Sequence, residues 1–525
     1  MTMKHGRVSP MVALGCAVAA TALGLTACSS AGADSPAASS ASPHQGGNLR
    51  IALSGIPAVI DPFATSLQAN WVVARQVCEP LFDVSTSYEV KPVLVKESKY
   101  DNDKTYTFTL RSGVKFQDGQ PLKAADVVAS LNRYFNTPGN GSILKNLTDT
   151  VTAQDDSTVV LKLKSPSAIV PTLLTTAYIM PASQVKDRPI TQPLDKLDCT
   201  GPYKLTSYVK DQTVTLARWD GYTSPDGESD GATGAKHAYV DTITFTAIPE
   251  ASTRIQAVQT GQVDVGGAVP IDMKSSIMAP AKAQMLSATS SSTIVFNKVQ
   301  GPMANVKLRQ AFLAALNMND IMSAGFGDSA SFTVDGSFIP AVNKQWATNA
   351  GTEPYNKQDL AKAKQLMSEA GYTGQKIVWL TTKDDPTWYA PSLPAQEQLK
   401  KAGFTIDLQV VDQATIISRR THPDQYDIFS SGIPTYADPV LLPYLQSTFP
   451  GTWTSTQRDT LLAQLASQTS QADRKATWEK LQTLVWQDLP FLKFGTTRPM
   501  VVMSESVHLK SPDDLAANYF NVWLS

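Results

Sequence analysis

Two hydrophobic periods divide the chain, and together they fix the class of fold it can adopt. Tyr106, Phe108 and Leu110 alternate with Thr105, Thr107, Thr109 and Arg111, the period of two that gives a strand one apolar face. Leu161 and Leu163 alternate with Lys162 and Lys164, and the pairs Val214/Leu216 and Ile243/Phe245 repeat the pattern. It dominates from Asn48 to about Ile248, with a turn at Asp118-Gly119 before an expected helix over about 122–134. Beyond Pro249 helical spacing becomes frequent. A helix from Ala251 should stop at Gly261, where a left-handed backbone is easy. Asn305 is placed to cap a helix running to Asn317. Asn356 is placed to cap another, in which Leu360, Ala363, Met367 and Ala370 share a face. Strands at 376–380 and 405–410 flank a helix at about 393–401, a βαβ pattern. Helices at about 458–467 and 473–487 follow. The expectation is an α/β protein, and 525 residues exceed what one hydrophobic core sustains, so two or three domains are expected.

Charge excludes one class of partner. Lys and Arg total 45 against 46 Asp and Glu, so the basic surplus needed to read a nucleic-acid backbone is missing. One stretch alone could meet a membrane. Residues 11–27 are apolar or small, follow Lys4 and Arg7, and precede no basic stop-transfer cluster, which reads as an export signal. Its end, Leu25-Thr26-Ala27-Cys28, resembles the lipobox of bacterial lipoproteins, in which the cysteine becomes the lipidated first residue. The expected signal is 1–27. Lipidated Cys28 and a flexible Ser/Ala/Pro linker would fill 28–47, a coil spanning about 25 Å. The protein is then exported and held at the outer face of the bacterial cell membrane. Cys78 and Cys199 remain, and an oxidising exterior permits either a disulfide or two free thiols.

Catalytic signatures are missing from the sequence. There is no GxxxxGK[ST] loop and no HExxH, and the five histidines are scattered. Asp226, Glu228, Asp230 and Gly231 resemble the start of a calcium loop, yet its third ligand position is Glu228 and its twelfth is His237. A polar hairpin over 223–236 is expected instead. No enzyme activity, metal or cofactor is expected.

Several segments in order resemble the peptide- and nickel-type family 5 of solute-binding proteins that serve ATP-driven (ABC) importers. Ile60-Asp61-Pro62 is followed by Glu79-Pro80-Leu81-Phe82 and by the most specific stretch, Tyr106 to Gly119, continuing from Pro121 through Arg133. Thr200-Gly201-Pro202-Tyr203, Gly261 to Val265, Leu308 to Phe312, Glu369 to Tyr372, Lys401 to Phe404 and Ala437-Asp438-Pro439 complete the series. Within it Arg111 and Asp126 are placed to form an ion pair, and Lys123 stands where the family has a Ser/Thr-type cap.

The resemblance implies a periplasmic-binding-protein-like two-lobed fold (type II, cluster C) with an extra small inserted domain. Lobe 1 would comprise 48–88, 198–295 and 499–525, the inserted domain 89–197, and lobe 2 296–498. Hinges would lie near 293–297 and 494–499, and Cys78 and Cys199 near the two junctions of the inserted domain. The implied partners are ABC permease and ATPase subunits, with the chain itself a monomer.

Ligand candidates from the resemblance are Ser54, Gly55 and Ile56 in lobe 1. In lobe 2 they are Lys383, Asp384, Trp388 and Tyr389, then Gly432, Ile433, Thr435, Tyr436 and Asp438. Dipeptide binders of the family hold the ligand ammonium with an acid just upstream of the Asp-Pro pair. Here none precedes Asp438, and Ile433 replaces a tryptophan. Asp438 either substitutes for that acid or orients the backbone. The resemblance therefore implies an oligopeptide, with an oligosaccharide, opine-like compound or metal chelate as alternatives, and solute sensing or an exported enzyme as other roles.

Overall fold

The computed structural model describes residues 42–57, 59–64, 68–101, 104–287 and 289–525. The expected export signal 1–27, Cys28 and most of the expected linker lie outside the described residues. Residues 43–525 form one compact unit. The linker's last residues already belong to it, because Gly46 N–H donates to the Tyr239 carbonyl at 2.8 Å and Gly47 N–H to the Asp241 carboxylate at 3.1 Å.

Three larger sheets carry this unit. Seven strands build the first, in the order Ala281–Met285, Met500–Ser504, Val265–Val269, Asn48–Leu53, Thr242–Ala247, Thr213–Arg218 and Tyr203–Val209. Asn48–Leu53 runs parallel to both neighbours, so three strands end together on one side of lobe 1. The second sheet orders Phe332–Thr333, Phe491–Thr497, Ser290–Phe296, Ile428–Pro434, Lys376–Thr381 and Thr405–Val410. Its last three strands are mutually parallel, and they form lobe 2's βαβ unit with helix Ser392–Ala402, which Gly403 ends at a left-handed φ of 105°. The third sheet is antiparallel, in the order Val95–Asp101, Thr105–Leu110, Thr158–Leu163 and Thr148–Ala153. Tyr106, Phe108 and Leu110 are buried and the intervening threonines are half-buried, as a period of two requires of a sheet with one covered face.

The chain passes between the first two sheets twice, between residues 285 and 290 and between 497 and 500. Leu286 N–H donates to the Pro499 carbonyl at 2.9 Å and ties the crossings together. The first crossing precedes the expected 293–297, because Ser290–Phe296 is paired on both edges within lobe 2 and cannot flex without breaking two ladders.

Polar links lie at the junction of lobe 1 with the body around the third sheet, and those of Asp61 cross it. Cys78 and Cys199 form a disulfide with Cα atoms 4.8 Å apart. Arg133 makes a buried two-pronged pair with Asp61, at 3.1 and 2.5 Å, and Leu194 N–H also donates to that carboxylate. Glu79 is buried and accepts from Lys236, Tyr222 and Thr200. The motif residues Asp61, Glu79 and Arg133 are thus structural charges at a junction.

Several local expectations are corrected. Arg111 and Asp126 do not pair: Arg111 donates to the carbonyls of Val93, Thr223 and Ser224, while Asp126 accepts from the Lys123 and Ala182 N–H groups. The bond from Lys123 N–H caps helix Ala124–Tyr134 from inside, so Lys123 needs no capping side chain. Asp359 caps helix Leu360–Glu369, and Asn356 instead accepts from Met318 N–H. The segment 223–236 is no free hairpin, since Asp230 binds Thr86 and Lys91, and Lys236 is buried against Glu79.

Candidate functional site

In open α/β sheets, ligands sit beyond the carboxyl ends of parallel strands, where connections diverge. Both lobes offer such an edge. In lobe 2, strand Lys376–Thr381 runs into the loop 382–385, and Asp385 caps the short helix Pro386–Tyr389 by accepting from Thr387 N–H and Oγ1 at 2.8 and 2.6 Å. Burial pushes the Asp385 carboxyl up. The cap turns Trp388 inward, where its carbonyl accepts from Thr381 Oγ1 at 3.1 Å and its ring is almost buried. The neighbouring strand Ile428–Pro434 brings Gly432 beneath that indole, since a Cβ added there would lie 3.0 Å from Trp388 Nε1 and 3.5 Å from Ser290 Oγ. Trp388, Gly432 and Ser290 therefore meet.

The other lobe 2 candidates divide by role. Lys383 is exposed, with its ammonium 5.4 Å from the centre of the Tyr389 ring, a cation–π arrangement. Asp384 is exposed and accepts from Gln413 N–H at 2.7 Å. Ile433 is core. Thr435 is joined to the first crossing, its N–H and hydroxyl meeting the Thr289 carbonyl at 3.1 and 3.0 Å. Tyr436 packs against the core, and burial raises its phenol.

Asp438 is 2% exposed, and its carboxylate lies 2.7 Å from Arg474 and accepts from Val440 N–H at 3.0 Å. Burial pushes this carboxyl up, while Arg474 and the Val440 N–H pull it down. Its charge is committed within the protein.

Lobe 1 presents Ser54 and Gly55 directly after strand Asn48–Leu53. Ser54 is exposed, a Cβ on Gly55 would meet nothing within 4 Å, and Ile56 turns inward. The sequence gives no sign of Arg254's role there. This buried guanidinium donates to the carbonyls of Ile248, Pro249, Gly267 and Ala268, gathering the carboxyl ends of Thr242–Ala247 and Val265–Val269. Burial lowers its pKa. A buried arginine with carbonyl partners leaves no motif, so only its unusual place on an apolar helix face could have flagged it.

The lobes also touch directly. Lys274, after strand Val265–Val269 in lobe 1, pairs with Asp328 of lobe 2 at 2.5 Å. Among the described residues, no group of His, Cys, Asp and Glu could hold a metal ion, and no helix is long and apolar enough to cross a membrane.

Comparison with known proteins agrees with this architecture. A probable peptide ABC transporter periplasmic-binding protein of Sinorhizobium fredii is 29% identical over 391 residues, covering 72% of this chain and 73% of its own. The Listeria monocytogenes ABC transporter substrate-binding protein CtaP superimposes with a TM-score of 0.79 at 24% identity, covering 91% of this chain and 99% of that one. The oligopeptide-binding protein AppA of Bacillus subtilis, solved with a nonapeptide, gives 0.74 at 21% identity, covering 92% and 100%. The family model for bacterial extracellular solute-binding proteins, family 5, matches residues 89–454, and the chain belongs to that family.

Proposed function

We propose that this protein is the substrate-binding subunit of an ABC importer, held outside the cell membrane by lipid on Cys28, which captures an oligopeptide between its lobes and delivers it to permease and ATPase subunits. Binding, not catalysis, is its work. The observation that carries this reading is that each lobe ends parallel strands in a candidate edge, Ser54-Gly55 on one and Trp388, Gly432 and Thr435 on the other, and that the lobes are joined by two crossings. The domain division proposed is 48–88, 198–287 and 499–525 for lobe 1, 89–197 for the inserted domain and 289–498 for lobe 2, which moves strand Ser290–Phe296 out of the lobe 1 expected from the resemblance, with bending at the two crossings. Closure around such crossings is a hinge motion.

The state of Asp438 bears on the ligand. Because Arg474 already neutralises it, the carboxylate is not offered to a ligand ammonium, which disfavours a small zwitterionic dipeptide. A longer peptide, held through its backbone and against Trp388 and Tyr389, fits this arrangement.

Native mass spectrometry of protein purified without denaturation, followed by thermal-shift screening, tests the proposal. Bound masses matching mixed peptides are expected, with stabilisation of roughly 2.7 kcal/mol at a hundred times the dissociation constant. Stabilisation by a sugar, an opine or a metal chelate alone would overturn the peptide assignment. For the anchor, Cys28→Ala should release the protein in membrane fractionation, and unchanged association would sink lipidation.

A further inference from the structure

Arg474 lies in the first turn of helix Gln471–Asp488 and is 5% exposed. Three neighbours hold its guanidinium. Nε donates to the Leu465 carbonyl at 2.9 Å, Nη2 lies 2.7 Å from Asp438 Oδ2, and the group sits 4.9 Å from the centre of the Trp346 ring. Neither end needs the ion pair for local capping. Ser470 caps the helix with its own hydroxyl, and an uncharged asparagine could accept the Val440 N–H as Asp438 does. Burying two charges costs desolvation, and such pairs are best justified by the geometry they fix.

What this pair fixes is the end of segment 432–438. Asn343 braces the same segment, its Nδ2 donating to the carbonyls of Tyr436 and Ala437 at 3.1 and 3.4 Å. On its other side the Arg474 anchor adjoins the inserted body. Leu465, which receives its Nε–H, precedes Ala466, whose carbonyl accepts from Ser167 Oγ of the inserted body at 3.1 Å. The Ser167 carbonyl accepts in turn from the Tyr106 hydroxyl at 2.8 Å, and that hydroxyl feels the Arg474 charge. The contacts themselves are buried, and an open pocket of about 350 Å³ adjoins them at the surface, bordered by Tyr100, Pro166, residues 467–470 and Asp473.

We propose that Arg474 is a positioning residue that couples the seating of the inserted body on lobe 2 to the placement of segment 432–438, and through it to ligand affinity. The last clause rests on the proposed role of that segment in ligand contact. The contact of Ser167 with Ala466 is already made in this structure, and the chain of contacts through Leu465, Arg474 and Asp438 would hold the segment in its binding position.

Hydrogen-exchange mass spectrometry on the full-length chain tests the coupling without any ligand. Arg474→Met should speed exchange in 433–441 by roughly tenfold or more while the strands at 376–381 and 491–497 keep their protection. Asp438→Asn should reproduce this pattern if the first variant folds poorly. Arg474→Lys, which keeps the charge, should restore part of the protection. Ser167→Ala, which leaves the ion pair intact, should loosen the same segment to a smaller degree. Unchanged exchange at 433–441 in Arg474→Met, or acceleration spread evenly over lobe 2, would overturn the positioning role. An unchanged segment in Ser167→Ala would overturn the coupling.

Native mass spectrometry with an equimolar mixture of synthetic nonapeptides then reads affinity. Arg474→Met should retain several-fold less peptide than wild type. A loosened segment with undiminished binding would overturn the ligand-contact role of 432–438 and leave the positioning role standing. Wild-type protein that binds none of the mixture would count against the peptide assignment alone, since the exchange result is independent of it.

Discussion

Gly432 is the residue on which the candidate cleft depends most narrowly. Its missing side chain is what lets the Trp388 indole lie against strand Ile428–Pro434. Gly432→Ala should displace the indole by a few tenths of an ångström at a cost of about 1–2 kcal/mol, and should lower peptide retention more than it lowers the melting temperature. A melt combined with native mass spectrometry checks this, and equal retention would place the ligand elsewhere. At this scale the sequence is a partial guide. Asp438 stands out because Pro439 follows it, and Trp388 and Tyr389 stand out as neighbouring aromatics. Arg474 and Arg254 do not, because a pairing between a helix and a distant loop has no local pattern. Ile433 is misleading for the opposite reason: alternation along the strand places it in the core and leaves Gly432 facing the indole.

At the scale of elements, the short helix Asp514–Ala517 near the C-terminus carries a testable strain. The Asp514 carboxyl is buried, accepts from the Lys510 and Ser511 N–H groups, and is pushed up to about 6, chiefly by burial. A carboxyl whose folded value exceeds its unfolded value binds its proton more tightly when folded. Its burden on stability is therefore absent below about pH 4, grows as pH rises to about 6, and persists above. Asp514→Asn should gain about 1–3 kcal/mol at pH 7 and nothing at pH 4, read from urea midpoints at both values. A gain independent of pH would contradict this account. The elements themselves were largely legible. Strand Thr105–Leu110 and helix Ser392–Ala402 follow from periodicity because each buries one face. Helix starts were less so, since Asp359 and Asn356 are equally good caps on paper and only the packing of Asn356 against Met318 decides between them.

For the whole molecule, sheet order was the least legible feature. Lobe 1 places Met500–Ser504 beside Val265–Val269, strands separated by the whole of lobe 2, and no property of either strand announces the other. Resemblance to a family supplied that layout, and periodicity did not. Movement of the whole can be probed at the exposed ion pair between lobes, the one such pair among the described residues. Asp328→Asn keeps its bond to the Ala330 N–H but loses Lys274, so the unliganded protein should open further in solution scattering. Peptide retention should fall by less than about threefold, as expected of a solvent-exposed pair. An unchanged radius of gyration would show that the pair does not hold the lobes together.

The disulfide between Cys78 and Cys199 has a consequence for how such a molecule can be cut. The chain departs at Cys78 and returns at Cys199 with Cα atoms 4.8 Å apart, a gap that a tight turn can bridge. The intervening segment is therefore a cassette, removable in principle without moving either end. What resists excision is not chain geometry but two buried ion pairs. Asp61 would lose Arg133, and Lys236 would lose Glu79, leaving an acid and a base stranded in an apolar setting. A minimal two-lobed version of this protein thus calls for a turn in place of 79–198 together with neutral residues at 61 and 236.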